Sequence, residues 1–178
     1  MEKLSIKDFD RFMRGPFRDR VEKAFEKHQI FCEADLQSFA WRWIKSFLER
    51  HEERRGKFRV LNKPFLRDCK TYPDLVVFRK RVPWVVIELK ESRLLTKRSA
   101  SSEHRKLLRA RKILGAKRGY LVYVARRGEE QALLGPKGKG ARYFFEVPIV
   151  LAGTMDRDKL AEWVAAFRSW SKYTLARA

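Results

Sequence analysis

The chain has 178 residues and carries 42 Lys and Arg against 22 Asp and Glu, a formal net charge of +20 that predicts a polyanionic partner. Its hydrophobic share of 44% suffices for a folded core and excludes an intrinsically disordered chain. The sequence has neither an apolar run of about 20 residues nor a hydrophobic signal segment nor a CxxC pair, so we expect a cytoplasmic protein without a membrane span, disulfide framework or cysteine-rich zinc site.

Helical signals come first along the chain. Ser5 and Asp8 have the spacing of a capping box, which predicts a helix from that point. Gly15-Pro16 is expected to break this helix and to start a second one. A longer amphipathic helix is predicted over residues 33–52, with Gly56 marking its end.

Beyond the long helix, the hydrophobic period becomes that of strands. Five strands are predicted over residues 58–66, 75–78, 84–89, 119–125 and 143–150. The second and third are apolar on both faces, as expected for central strands covered by helices, and the charged turn Arg79-Lys80-Arg81 joins them. Residues 91–102 are expected to form a mobile basic loop, followed by a helix over 103–114 that ends at Gly115.

The last part of the chain adds a Gly- and Lys-rich loop over 135–142 and a final helix over 155–173, with Thr154 as its N-cap. The order of elements predicts an α/β fold: a central mixed β-sheet of about five strands flanked by helices. We expect a single domain over residues 1–178.

One polar cluster interrupts the apolar strands: Pro73-Asp74 before the second strand and Glu88-Leu89-Lys90 at the end of the third. If these strands form a hairpin centred near residue 81, Asp74 lies opposite Glu88 with the side chains only about 5 Å apart. Lys90 is two residues beyond Glu88 and therefore points to the same face. This end of the sheet is predicted to hold two carboxylates and one ammonium group.

Two facing carboxylates repel each other, and a divalent cation would relieve that repulsion. Hard oxygen ligands in this number favour Mg²⁺ or Mn²⁺ over zinc, which fits metal-assisted hydrolysis of a phosphodiester. The alternative is purely structural, with Glu88 and Lys90 as a surface ion pair and Asp74 in a turn or at a helix cap.

The run Pro73, Asp74, Glu88, Leu89 and Lys90 resembles the motif of the PD-(D/E)XK nuclease superfamily. The resemblance implies a restriction-endonuclease-like core over about residues 31–126, with an N-terminal helical extension over 1–30 and a strand and C-terminal helix within 127–178. It also implies that Asp74 and Glu88 bind the metal ion and that Lys90 assists the attacking water. By analogy with the family, cutting both strands suggests a homodimer.

Members of this superfamily often add an acidic residue from the helix before the first strand. Glu33 shares the inward face of the predicted helix with Gln37, whereas Asp35 lies on a less buried face. We therefore expect Glu33 to be a metal ligand, direct or through water, with Gln37 behind it. The alternative is that both acids only complement the positive end of the helix.

The excess positive charge is concentrated in residues 89–142, where 16 basic and 4 acidic residues give a net charge of +12. This region is predicted to grip the phosphate backbone largely without sequence preference, although an ordinary solvated surface is the alternative. The candidate nucleic-acid contacts are Arg93, Lys97, Arg98, Arg105, Lys106, Arg109, Lys137, Lys139 and Arg142.

Together these features predict a metal-dependent nuclease acting on DNA, with RNA left open. A Holliday-junction resolvase, a restriction or repair endonuclease and a mobile-element nuclease all fit the sequence. Two other classes remain as alternatives: a nucleic-acid-binding module without catalysis, and a protein of the membrane surface, which the lack of helices with one basic and one broad apolar face disfavours.

Overall fold

The computed structural model describes residues 4–27, 29–30, 32–51, 57–64, 73–90, 97–125 and 143–150, with the backbone only for residues 97–99 and 125. Gly56, the loop over 135–142, Thr154 and the helix over 155–173 lie outside these residues. No helix in the described part of the chain is long and apolar enough to cross a membrane.

The fold is α/β, as predicted, with a five-stranded mixed sheet flanked by helices. The helices are α1 (Ile6–Phe12), α2 (Arg18–Glu26), α3 (Glu33–Arg50) and α4 (Lys97–Leu114). The strands are β1 (Phe58–Asn62), β2 (Leu75–Arg79), β3 (Val82–Lys90), β4 (Arg118–Ala125) and β5 (Phe144–Val150). They lie side by side in chain order, with β1 to β3 antiparallel and β3 to β5 parallel.

The first helix begins where the sequence predicts it, since Ser5 and Asp8 form a capping box. The prediction that Gly15-Pro16 breaks the helix is wrong, because a π-helical turn, Met13–Phe17, joins α1 to α2 without interruption. A π-helical turn hydrogen-bonds i to i+5, which accommodates the ring and the missing N–H of Pro16. Burial of Met13 and Phe17 in the core stabilises this wider turn.

The helix predicted over 33–52 is α3, whose inner side buries Leu36, Ala40 and Ile44. The predicted first strand is too long, because β1 ends at Asn62. Lys63 follows it with a positive φ of 41°, a conformation that no regular strand contains.

The second and third strands form the predicted hairpin, with Lys80 and Arg81 as its two-residue turn. The prediction of a mobile loop over 91–102 is wrong for residues 97–102, because α4 begins at Lys97, six residues before the predicted start. Ala100 explains the difference: it is fully buried, so one more apolar contact extends the helix toward its N-terminus. Gly115, with φ of 65°, ends α4 as predicted.

The sheet lies between two layers of helices. Helices α1 to α3 share one hydrophobic core with Val85, Ile87 and Leu89, the residues of β3 that point to that side. On the other side, Leu107 and Ala110 of α4 pack in a second core with Val86. Since side chains alternate along a strand, Glu88 and Lys90 project from the face that α4 covers.

Candidate active site

Asp74 and Glu88 are brought together by the register of the β2–β3 hairpin. Leu75 pairs with Ile87, so the next position in the same register places Asp74 opposite Glu88, as the sequence predicts. Asp74 is 4% exposed, and its Oδ2 accepts a hydrogen bond of 2.8 Å from the backbone N–H of Leu89. The pairing of the strands therefore fixes the Asp74 carboxylate at the end of β3.

Gln37 holds Asp74 from the helical side. This residue of α3 is buried, as expected for the inward face, and its Nε2 donates to the Asp74 carbonyl at 3.2 Å and to Oδ1 at 3.4 Å. Both carboxylate oxygens of Asp74 therefore accept a hydrogen bond, one from the sheet and one from α3. The aspartate has little rotational freedom between them.

Lys90 links Glu88 to Glu33 across the end of the sheet. Its Nζ lies 3.3 Å from Glu88 Oε1 and 3.5 Å from Glu33 Oε1. Asp35 instead accepts from the backbone N–H of Cys32 at 3.2 Å and caps the start of α3. Of the two acids in this segment, the structure thus places Glu33 in the cluster and Asp35 at the helix end.

The electrostatics of the cluster are those of crowded, buried acids. Burial, and then the charge of Asp74, raises the pKa of Glu88 to about 7. Burial also raises the pKa of Asp74. Burial alone would lower the pKa of Lys90, but the nearby acids, Glu88 and Glu33 first and then Asp74 and Glu103, together outweigh it and raise that pKa. One ammonium group therefore does not neutralise the two facing carboxylates.

The carboxylates of Asp74, Glu88 and Glu33 meet some, but not all, of the requirements of a binding site for a hard divalent cation. Among the residues that the structure describes, no three His, Cys, Asp or Glu side chains are grouped so that they could hold a metal ion, and Glu33 is paired with Lys90. Mg²⁺, however, commonly takes one or two carboxylates and completes its shell with water and phosphate oxygens. Asp74 and Glu88 supply that minimum, and their raised pKa values mark negative charge that a cation would stabilise.

Glu103 is a member of the cluster that the sequence reasoning missed. Its negative charge contributes to the raised pKa of Glu88. Its Oε1 accepts from Lys106 at 2.9 Å, whereas its Oε2 is buried and has no hydrogen-bond partner in the described part of the chain. The signal was present, since Glu103 lies four residues before Leu107 and so extends the buried stripe of α4 by one turn.

Lys63 was also missed, and it brings a positive charge to the same end of the sheet. Its backbone N–H donates to the carbonyl oxygen of Asp74 at 2.8 Å, and its side chain is exposed. The charge of Lys63 acts to lower the pKa of Asp74, but less strongly than burial raises it. No sequence signal pointed to Lys63, because the predicted first strand over 58–66 included it.

The predicted nucleic-acid contacts are only partly described. Arg105, Lys106 and Arg109 lie on α4 and are exposed, and Lys106 pairs with Glu103. Lys97 and Arg98 form the first turn of α4, for which the structure describes the backbone. The remaining four, Arg93, Lys137, Lys139 and Arg142, lie outside the described residues.

No protein-family model, no curated protein and no solved structure matches this chain. The resemblance to the PD-(D/E)XK superfamily therefore depends on the motif and on the side-chain arrangement just described. That arrangement brings together acids from the start of α3, from the position just before β2 and from β3, at 14 to 55 residues of sequence separation, around one lysine.

Proposed function

We propose that this protein is a divalent-metal-dependent nuclease that hydrolyses phosphodiester bonds of DNA. The observation that carries the proposal is the facing pair of Asp74 and Glu88, buried beside Lys90 and with both acid pKa values raised. A nuclease site needs negative oxygen ligands for a cation and a nearby proton-transferring or phosphate-neutralising group, and this cluster contains both.

Each residue has a role that follows from its surroundings. Asp74 and Glu88 would hold Mg²⁺ or Mn²⁺, which when bound supplies the Lewis acid for attack on phosphorus. Gln37 keeps the Asp74 carboxylate in place through its two hydrogen bonds. Lys90, within 3.3 Å of Glu88, is placed to orient a water molecule or to neutralise charge that develops on the phosphate.

The proposed role of Glu33 depends on whether a cation is bound. Its carboxylate lies 3.5 Å from Lys90, so in this arrangement it orients the lysine. If Asp74 and Glu88 hold a cation, the Glu33 carboxylate would be a further oxygen donor for it, directly or through water. Glu33 is therefore proposed as an outer ligand and as a support for Lys90.

The second candidate is a nucleic-acid-binding module without catalysis. The net charge of +20 supports it as strongly as it supports the nuclease. Its weakness lies in the buried pair, because a module that only binds a polyanion gains nothing from two carboxylates that repel phosphate and destabilise the fold.

The test is cleavage of labelled duplex, flap, four-way junction, single-stranded DNA and RNA in the presence of Mg²⁺ or Mn²⁺. We expect cleavage of at least one DNA form by the wild type and a loss of about 100-fold or more for Glu88→Ala and Asp74→Ala, since even outer-shell changes at metal sites cost 10- to 100-fold. Glu26→Ala, an exposed acid of α2, is the matched control and should cut normally.

Two results would decide against the nuclease. If the wild type binds but cuts none of these substrates with either metal, the binding module is the better account. If Glu88→Ala and wild type cut equally, the activity belongs to another site or to a contaminant. We further propose a cytoplasmic enzyme that acts as a homodimer when it cuts both strands, which sedimentation of the protein with and without DNA would test.

A further inference from the structure

The turn between β2 and β3 has a backbone that its residues do not favour. Lys80 has φ of 50° and Arg81 has φ of 67°, so both central residues of this two-residue turn are left-handed. Turns of this kind strongly prefer Asn-Gly or Gly-Gly, because other side chains are strained at positive φ. Two long cationic side chains stand here instead, and both are exposed.

Among the described residues, no acid neutralises the positive charge of this turn. Lys80 and Arg81 form no ion pair with an acid in the described part of the chain, and neither does exposed Lys117 at the start of β4. Asp10 reaches the same end of the sheet, but it is engaged by Arg118 at 3.5 Å and by the hydroxyl of Tyr120. Mutual repulsion therefore adds to the backbone strain, and neither effect favours folding.

A row of cations connects this turn with the candidate active site. Arg105, Arg109 and Lys112 are exposed at positions i, i+4 and i+7 of α4, so they line one side of the helix. Helix α4 crosses from the end of β3, next to Glu88, back to the start of β4, next to the hairpin turn. Positive charge thus extends from one end of the sheet to the other on the face from which Glu88 projects.

The length of this path matches a stretch of nucleic-acid backbone. Arg81 and Glu88 are seven residue steps apart along β3, which is about 23 Å at the rise of an extended strand. Successive phosphates of one DNA strand advance about 3.4 Å along the duplex axis, so 23 Å corresponds to about seven base pairs.

We infer that Lys80 and Arg81 form a second phosphate-binding point, which holds the backbone of duplex DNA about seven base pairs away from the scissile phosphate at Asp74 and Glu88. This inference rests on the proposed nuclease function, since the active site defines the first point of contact. The pair Asn-Gly would relieve the backbone strain of this turn, but it would also remove both positive charges. Phosphate binding therefore explains why Lys80 and Arg81 occupy the turn.

The test uses the full-length chain with Glu88→Gln, so that DNA is bound but not cut. Lys80→Asn/Arg81→Gly is added, a pair that fits a left-handed turn and preserves the hairpin. The control is Lys7→Gln/Lys23→Gln, which removes two exposed charges from α1 and α2 on the opposite side of the sheet. Binding of 8- and 24-base-pair duplexes is measured from 50 to 200 mM salt.

The turn variant should lower the slope of log affinity against log salt by about 1.8 on the longer duplex, because each lost phosphate contact removes about 0.9. Between 50 and 200 mM salt, that slope change alters the ratio of affinities about 12-fold. The control should keep the slope of the parent. The difference between turn variant and parent should persist on the 8-base-pair duplex, because its seven base-pair steps are just long enough to span both contact points.

A turn variant that melts at or above the temperature of its parent, yet binds both duplexes with an unchanged salt slope, would overturn the inference. So would an equal loss for the control variant, which would indicate only nonspecific attraction to a basic protein. Failure of the proposed nuclease function would give a different result. The protein with Glu88 intact would then cut no DNA, although the turn substitutions would still change DNA binding. Preferential loss of binding to anionic vesicles rather than to DNA would assign the turn to a membrane surface and also overturn the inference.

Discussion

Glu88 is an acid whose ionisation the fold disfavours. Its side chain is 13% exposed and faces Asp74, and these surroundings hold its pKa at about 7. A carboxyl group whose pKa is raised by folding opposes folding once it is ionised. Groups with a pKa raised in this way cluster at functional sites.

We expect the Glu88→Gln variant to be more stable than wild type at pH 8. In the unfolded chain the group ionises near pH 4.5 and in the fold near 7, so wild type loses stability as pH rises between these values and keeps that loss above pH 7. The difference is at most about 3 kcal/mol at pH 8 and vanishes below pH 4. Urea unfolding of both proteins at several pH values measures it.

The control for this prediction is Glu26→Gln, because Glu26 is exposed on α2. Its free energy of unfolding should follow wild type across the same pH range. A Glu88→Gln variant that is less stable than wild type at pH 8 would show that the ion pair with Lys90 outweighs the desolvation of the carboxylate.

The Gln37→Leu variant should distinguish a role of Gln37 in positioning the Asp74 carboxylate from a purely structural role in the core. Leucine fills a similar volume but cannot donate to Oδ1 or to the carbonyl oxygen of Asp74. We expect DNA cleavage to fall about 10- to 100-fold, and the free energy of unfolding to fall by about 1–3 kcal/mol. Gln29→Leu, at an exposed position, is the control and should change neither quantity. Full cleavage by Gln37→Leu would mean that the backbone N–H of Leu89 alone positions Asp74.

At the residue scale, the sequence predicts contacts that follow from strand alternation. The pairing of Asp74 with Glu88 and the common face of Glu88 and Lys90 need only the period of two and one turn position. Glu103 extends the buried stripe of α4, but its approach to Glu88 was missed because it depends on how α4 packs on the sheet, which the helical period does not specify. The role of Lys90 as a bridge to Glu33 depends on how α3 sits on the sheet, which no local pattern encodes.

At the scale of elements, α4 packs closely on β4 at Gly119. A Cβ atom at this position would meet the Leu107 side chain at 3.1 Å from its Cγ. We expect Gly119→Ala to destabilise the protein by about 1–3 kcal/mol, because the helix must move or Leu107 must leave its rotamer. Chemical unfolding measures the change, with loss of cleavage if α4 shifts relative to Glu88.

Gly15→Ala is the matched control for Gly119→Ala. It lies in the π-helical turn, and an added Cβ would meet no atom within 4 Å among the residues described. Its free energy of unfolding should stay unchanged or rise by up to about 1 kcal/mol, since alanine favours helical backbone over glycine. Equal destabilisation by both substitutions would contradict the tight contact between α4 and β4.

The elements that the sequence predicts best are those with a strong hydrophobic period, such as α3 and the two central strands. The joint at Met13–Phe17 was mispredicted because Gly-Pro normally ends a helix, whereas here the core holds Phe17 and Met13 on both sides of it. The first turn of α4 was missed because its polar composition reads as a loop, and its one buried apolar residue, Ala100, is a weak signal.

On the scale of the whole molecule, Mg²⁺ should stabilise the wild type. A ligand that binds only the folded state adds about 2.7 kcal/mol when its concentration is 100 times its dissociation constant. We expect a higher melting temperature with MgCl₂ than with NaCl of equal ionic strength, because matched salt removes the effect of screening the +20 charge. The Glu88→Gln variant should melt at the same temperature in both salts. An equal rise for wild type and variant would place the metal elsewhere.

β1 and β5, the outermost of the strands that the structure describes, bear on how two copies could meet. The carbonyl oxygen of Val60 in β1 is occupied by the indole of Trp41, and the N–H of Val150 in β5 by Glu22. Pro148 further removes one donor from β5. Edges filled in this way are poor templates for a strand from a neighbouring chain. Two copies of this protein would therefore associate through their side chains, and their sheets would not join edge to edge into one continuous sheet.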